Sequence, residues 1–267
     1  MHFRETVCLV TGASSGIGRA LTLKLLAEGA HVAACGRSRY RLDELQRDAG
    51  EHARNLVIGQ VDVSREDEVA AFLEKVRLTL GVPRAVVANA GFGIFRPLTE
   101  LRTEDFDAVM NTNVRGVFLT LRHTVPGMIE AGGGDVVLVS SLAGKNGFAG
   151  GTAYAASKFA VRGLAQSLML EVRESNVRVI SVFPGSTDTR FFDDTAMSPN
   201  RVAILSSENV ADTILDALRM ERRALISEID IRPAHPTGSS PPPPGRAARP
   251  RPSHPRRVPR ARGVGGG

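Results

Sequence analysis

A doubly wound α/β fold, with a parallel seven-stranded sheet between two layers of helices, is predicted for this 267-residue chain. Three observations predict it. Apolar strand-like runs alternate with amphipathic helix-like stretches up to Pro233, the pattern of a parallel sheet covered on both faces. Glycines stand where helices should stop, at Gly29, Gly81 and the Gly132-Gly133-Gly134 run. A glycine-rich segment, Thr11–Gly18, falls between the first strand and the first helix.

The strands are expected at Thr6–Thr11, His31–Cys35, Asn55–Val61, Ala85–Asn89, Asp135–Ser140, Val177–Phe183 and Ala224–Ile231. Helices fill the intervals at 16–28, 39–50, 65–80, 103–131 (in two pieces), 152–174 and 207–221. The ligand crevice of such a sheet lies beyond the carboxyl ends of its strands. Residues 1–237 read as one domain, long enough to bury a three-layer core.

After Pro233 the pattern stops. Pro241–Pro244, scattered arginines and a closing Gly265-Gly266-Gly267 offer nothing to bury, so 238–267 is expected to be disordered. The net charge of +6 comes from this tail. It holds seven arginines and no acid; setting them aside leaves 27 Lys+Arg against 28 Asp+Glu. A nucleic-acid partner is therefore not expected of the folded body. No apolar run reaches the roughly 18 residues of a membrane span. The N-terminus lacks a signal-peptide design, and a cytoplasmic protein is expected. Cys8 and Cys35, both in predicted strands, read as small buried thiols. No metal is called for.

The glycines of Thr11–Gly18 (Gly12, Gly16, Gly18, interleaved with Ser14, Ser15 and Ile17) are spaced G-x-x-x-G-x-G. Such glycines let the backbone turn tightly against a pyrophosphate, and the following helix offers free N–H groups and a favourable dipole. Turn and sheet together describe a Rossmann-type nucleotide-binding domain. A carboxylate about 20 residues further on would bind the adenosine ribose hydroxyls. Gly36 and Arg37 stand there instead, and a guanidinium without a carboxylate fits the 2′-phosphate of NADP (as NADPH in its reduced form).

Tyr154 and Lys158, four residues apart on a predicted helix, share one face. A lysine charge about 4 Å from a phenolate is worth roughly 4 kcal/mol at an effective dielectric of 20, or about three pKa units. That shift would let Tyr154 exchange a proton with a carbonyl oxygen. Ser141, ending the fifth strand, could hydrogen-bond the same oxygen, with Ser140 as its rival. The pattern points to a nicotinamide-dependent carbonyl/alcohol oxidoreductase. The alternative is a nucleotide-sensing protein on the same scaffold.

These segments resemble the classical short-chain dehydrogenase/reductase family across about residues 5–233. Thr11–Gly18 is similar to its T-G-x-x-x-G-x-G turn, Asn89-Ala90-Gly91 to its N-A-G segment, Tyr154–Lys158 to its Y-x-x-x-K and Pro184-Gly185 to its P-G motif. The resemblance implies that Tyr154 is the acid/base, Ser141 the partner of the substrate oxygen, and Lys158 the ligand of the nicotinamide ribose. It also implies that Asn113 anchors a proton-relay water and that Asp62 and Val63 meet the adenine. Asn89, Ala90 and Gly91 would line the adenosine side, and Thr187 and Thr189 would reach the carboxamide or phosphates. Asn89 has a second reading, as a brace of the central sheet. A homodimer or homotetramer is implied, with contacts near 103–131 and 152–174.

The expected substrate is a small carbonyl or alcohol compound. Phe92, Phe95, Leu142, Phe148, Phe191 and Phe192 flank the motifs and suggest an apolar pocket. The segment 186–206, with Met197-Ser198-Pro199-Asn200, reads as a lid over it. The last strand, Ser227–Pro233, resembles the ending of relatives grouped with hydroxy-acid or serine dehydrogenases.

Overall fold

The structure is a computed structural model that describes residues 2–193 and 200–234. The predicted tail at 238–267 and residues 194–199 of the expected lid lie outside the described residues. Nine strands follow one another in the described chain. They are β1 (Val7–Thr11), β2 (His31–Gly36), β3 (Leu56–Gln60), β4 (Ala85–Ala88), β5 (Gly134–Val139), β6 (Val177–Pro184), β7 (Thr187–Asp188), β8 (Leu205–Ser206) and β9 (Glu228–Ile231). All but β7 and β8 form one parallel seven-stranded sheet in the order β3-β2-β1-β4-β5-β6-β9. The order reverses between β1 and β4, which puts a crevice at their carboxyl ends.

Seven α-helices cover the sheet: α1 (Gly16–Ala27), α2 (Arg39–Asp48), α3 (Glu66–Thr79), α4 (Thr103–Met110), α5 (Gly116–Glu130), α6 (Thr152–Val172) and α7 (Ser207–Arg219). Successive strand side chains point to opposite faces, so each strand feeds two cores. Cys8 and Val10 of β1 join Leu21, Leu25 and Ile214 on the face covered by α1 and α7. Val7 and Leu9 join Val76, Leu119 and Val161 on the face covered by α3, α5 and α6. Both cysteines are buried, and burial pushes each thiol up to about 12, so neither is reactive.

Local chemistry sets the helix ends. The side chain of Ser206 accepts from the Asn209 N–H while Asn209 Oδ1 accepts from the Ser206 N–H, a reciprocal cap that starts α7. Glu66, Asp67 and Glu68 place negative charge on the first turn of α3. The predicted 103–131 helix is indeed two pieces, α4 and α5, joined by a wider π turn at Asn111–Arg115.

Two details differ from the sequence expectation. β9 begins at Glu228 and not at Ala224. The preceding carbonyls of Met220, Glu221 and Ala224 accept hydrogen bonds from the Arg178 guanidinium, which holds them away from the strand ladder. The expected lid is tied at its base: β7 and β8 pair in parallel, Thr187 opposite Leu205 and Asp188 opposite Ser206. No helix among the described residues is long and apolar enough to cross a membrane.

Candidate active site

A crevice of about 1040 Å³ opens at the carboxyl ends of β1, β2, β4, β5 and β6. That volume is at the upper end of ordinary small-molecule sites. The turn after β1 forms its floor, with Gly12, Ser14, Ser15, Gly16 and Ile17 all on the lining. Gly12 has φ +67, and a Cβ there would stand 2.7 Å from Ala90 Cα, so only glycine lets β1 and the loop after β4 meet this closely. α1 starts behind this turn with no side-chain cap and no acid in its first turn, leaving its N-terminal N–H groups turned to the crevice. Gly18 is not on the lining. A Cβ on it would lie 2.5 Å from Gly12 O, so it packs the turn upon itself.

At the outer end, Arg37 lines the crevice with Gly36, Ser38 and Arg41. Ser38 and Arg41 were not anticipated; they belong to the start of α2, and only the close packing of Gly36 on Ser14 brings α2 to the turn. The Arg37 guanidinium lies 5.6 Å over the Phe92 ring. Asp62 and Val63 line the same end. Burial pushes the Asp62 carboxyl up, but hydrogen bonds from Ser64 and the charge of Arg37 outweigh it, leaving the group below its ordinary range.

The loop after β4 contributes Asn89, Ala90 and Gly91 to the wall. Asn89 Nδ2 donates to Thr11 O at 3.0 Å and Gly12 O at 3.3 Å, so its amide braces β1 against β4. Asn113, on the π turn, is buried behind Phe92 and off the lining. Its Oδ1 accepts from the Phe92 N–H at 3.0 Å, and its Nδ2 donates to Phe92 O and Ser157 Oγ, each at 2.9 Å. The side-chain amide of Asn113 thus ties the loop that carries the wall to α6.

Ser141, Tyr154 and Lys158 converge on the inner end. A tight turn, Leu142–Gly144, follows Ser141, and its Oγ accepts from the Ala143 N–H at 3.1 Å. A Cβ on Gly144 would meet Lys158 O at 2.8 Å, so this glycine lets the turn rest directly on the α6 backbone. Tyr154 and Lys158 sit one turn apart on α6, and Ser141 hydrogen-bonds the phenol. Ser140 points elsewhere: its Oγ donates to Lys158 O at 3.1 Å. Lys158 is buried and its Nζ donates to Val139 O at 2.9 Å.

The electrostatics differ from the sequence expectation. Lys158 Nζ stands 5.7 Å from the centre of the Tyr154 ring. Burial pushes the phenol up to about 12, against the smaller downward pull of the Ser141 hydrogen bond. Burial also lowers the Lys158 ammonium to about 8. The protein's own atoms therefore keep Tyr154 protonated instead of acidifying it. The aromatic surroundings, Phe95 at 5.5 Å and Phe191 at 5.3 Å between ring centres, are the reason.

Pro184, Gly185, Thr187 and Thr189 close the far wall. Thr187 Oγ1 donates to Gly185 O, and the Thr189 hydroxyl accepts from the Phe191 N–H. The Thr189 methyl lies over the glycine turn, where a Cβ on Gly16 would meet it at 2.9 Å.

The sequence model of the short chain dehydrogenase family matches residues 6–200, the stretch that builds this crevice. The chain belongs to the short-chain dehydrogenase family. It is an oxidoreductase of that family by its relatives as well. An uncharacterized oxidoreductase of Staphylococcus aureus (strain MRSA252) is 30% identical over 86% of this chain and 97% of its own. Glycine betaine reductase ATRR of Emericella nidulans is 35% identical over 85% of this chain, which spans only 18% of that protein's length. Among solved short-chain dehydrogenases, two fit closely. The alcohol dehydrogenase from the archaeon Thermococcus sibiricus, complexed with 5-hydroxy-NADP, superposes with a TM-score of 0.79 at 29% identity, covering 86% of this chain and 97% of that one. A metagenomic short-chain oxidoreductase in complex with NADP gives 0.77 at 35% identity, covering 87% and 99%.

Proposed function

We propose that this short-chain dehydrogenase is an NADP(H)-dependent oxidoreductase that interconverts a carbonyl compound and a secondary alcohol, with Tyr154 as its acid/base. One observation carries the reading: Ser141, Tyr154 and Lys158 open onto the same crevice as the glycine turn. The residues fit the cofactor. The close approaches at Gly12 and Gly16 and the uncapped α1 N-terminus form a cradle for a pyrophosphate. Arg37 and Arg41, with Ser14 and Ser38, supply donors and charge for a 2′-phosphate. The NADP complexes of similar short-chain dehydrogenases support this choice.

Bound NADPH would supply the hydride. Tyr154, kept neutral by its surroundings, donates its proton to the substrate oxygen, and Ser141 donates a second hydrogen bond to that oxygen. Lys158 holds a positive charge beneath the phenol, which stabilises the phenolate left after the transfer. Asn89 and Asn113 keep the wall loop in register, and Asn113 would anchor a proton-relay water. Gly91, Ala90, Asp62 and Val63 would hold the adenosine side of the cofactor, and Thr187 and Thr189 its phosphates or carboxamide. Pro184 and Gly185 flank the nicotinamide end.

Residues 1–237 are taken as the catalytic domain. A homo-oligomer is supported by Phe118 on α5 and Phe159 and Leu170 on α6, which are 46%, 44% and 60% exposed. The test of the reading is NADPH oxidation followed across a panel of ketones and aldehydes. Turnover is expected with at least one, and Tyr154→Phe should lower kcat by about 10²–10⁴-fold while NADPH binding is retained. A Tyr154→Phe protein as active as the parent would sink the assignment.

A further inference from the structure

The inner end of the crevice carries a strip of aromatic rings from four separate segments. Phe95, from the loop after β4, is its centre. Its ring lies 5.7 Å from Phe148, 5.5 Å from Tyr154 and 5.8 Å from Phe191, and Tyr154 and Phe191 are 5.3 Å apart. Interplanar angles between 47° and 76° place edges against faces, the arrangement that aromatic rings favour. Two glycines make room for it. A Cβ on Gly93 would meet Phe95 Cζ at 2.8 Å, Phe191 Cζ at 2.9 Å and Tyr154 Cδ2 at 3.1 Å. A Cβ on Gly151 would meet Phe148 Cζ at 2.4 Å. Phe148 ends the strip 42% exposed, an apolar ring facing the open crevice.

We propose that this strip is the recognition surface for a flat apolar group attached to the reacting carbonyl, so that the favoured substrates are aryl ketones and aryl aldehydes. The inference rests on the oxidoreductase reading, since the strip begins at the ring of Tyr154. A substrate held by Tyr154 and Ser141 through its oxygen must lay one substituent along Phe95 and Phe148. A planar ring fills that position with apolar contact and an edge-to-face partner. A charged arm laid against those rings would lose hydration that the rings themselves do not replace.

The competing reading is a hydroxy-acid site, with Arg232 at the rim of the crevice as the carboxylate receptor. Arg232 is already paired with Asp230 at 3.5 Å and its side chain is 57% exposed. Water and a carboxylate already attend its charge. Cationic substrates are disfavoured too, because Lys158, Arg190 and Arg232 all line this end, and Asp193, the nearest lining acid, is bound by Arg201.

Acetophenone and acetoacetate form a matched test, both methyl ketones, one with a ring and one with a charged arm. With NADPH, kcat/KM for acetophenone is expected to exceed that for acetoacetate at least tenfold. Phe148→Ala should lower the acetophenone-to-acetone ratio of kcat/KM at least fivefold, chiefly through KM, and Phe95→Leu should lower it also. A preference for acetoacetate, or a ratio unmoved in both variants, would overturn the proposal. Absence of turnover with every ketone would defeat the oxidoreductase reading instead. Calorimetric titration of the protein–NADP complex would then decide for the strip if acetophenone binds more tightly than acetoacetate, and against it if not.

Discussion

Replacing Lys158 by methionine tests the electrostatics at the root of this site. The Lys158 ammonium, ordinarily at 10.5, is lowered to about 8 by burial. Its folded value lies below its unfolded one, so between pH 8 and 10.5 the unfolded chain holds more protons than the native one. Stability contributed by this group therefore rises with pH across that window. Below pH 8 both states carry the charge and the native state bears the full cost of burying it. Integrating the two titrations from pH 7 to pH 10 gives about 2.5 kcal/mol. Methionine fills a similar volume and does not titrate. The difference in unfolding free energy, parent minus Lys158→Met, should therefore climb by about that amount over the same range. Tyr154, ordinarily at 10.0 and pushed up to about 12 in the fold, is present in both proteins, so its contribution cancels in the difference. Urea melts at half-unit pH steps would measure the difference. A flat difference would refute the reasoning: the Val139 carbonyl, accepting at 2.9 Å, would then compensate the ammonium fully.

Two further substitutions probe the ends of the sheet. Arg37→Asp removes a guanidinium from the outer crevice and adds a carboxylate beside Asp62; KM for NADPH should rise at least tenfold while that for NADH falls. Equal use of both cofactors by the parent protein would count against the 2′-phosphate reading. At the opposite end of the sheet, Asp135 is fully buried and accepts from Arg178 Nε at 2.5 Å and from Arg222. Asp135→Ala should destabilise by about 3–5 kcal/mol in denaturant melts, because it strands a buried guanidinium. Adding Arg178→Met should recover part of that loss, and a loss under 1 kcal/mol for the single variant would contradict the account.

The cluster of Ser141, Tyr154 and Lys158 was legible because its members are near one another in sequence and follow local rules. Tyr154 and Lys158 meet through helical periodicity, and Ser141 follows a strand that its continuous apolar run reveals. The seven main strands were legible for the same reason. The β7–β8 pair was not, since two residues per strand leave no periodicity to read. Nor was the Asp135–Arg178 pair, 43 residues apart and brought together only by the register of β5 on β6. Gly18 and Asn113 matched their motifs yet stand behind the crevice wall, because a motif records a spacing and not a direction. The tyrosine's charge balance failed for a related reason. Spacing gives the distance to a lysine, but the burial that outweighs it comes from Phe95 and Phe191, in loops that the sequence places far from α6.

What the scaffold consumes also indicates which groups remain for chemistry. Asn89 gives its amide hydrogens to Thr11 and Gly12, Asn113 to Phe92 and Ser157, and Ser140 its hydroxyl hydrogen to Lys158 O. All of these bonds but one end on the main chain of a neighbouring segment; the exception runs from Asn113 to the Ser157 hydroxyl on α6. A substrate oxygen arriving at the inner end would find those donors already engaged. The Ser141 hydroxyl accepts from the Ala143 N–H and bonds the Tyr154 phenol, while its contact to Pro184 O is a long 3.4 Å, beyond the usual range for an O–H donor. It can turn to an incoming acceptor at little cost, and the Tyr154 phenol beside it keeps its proton. The rigid polar groups and the two adjustable hydroxyls are thus one arrangement: the first fix the walls closely enough that the second meet a single oxygen.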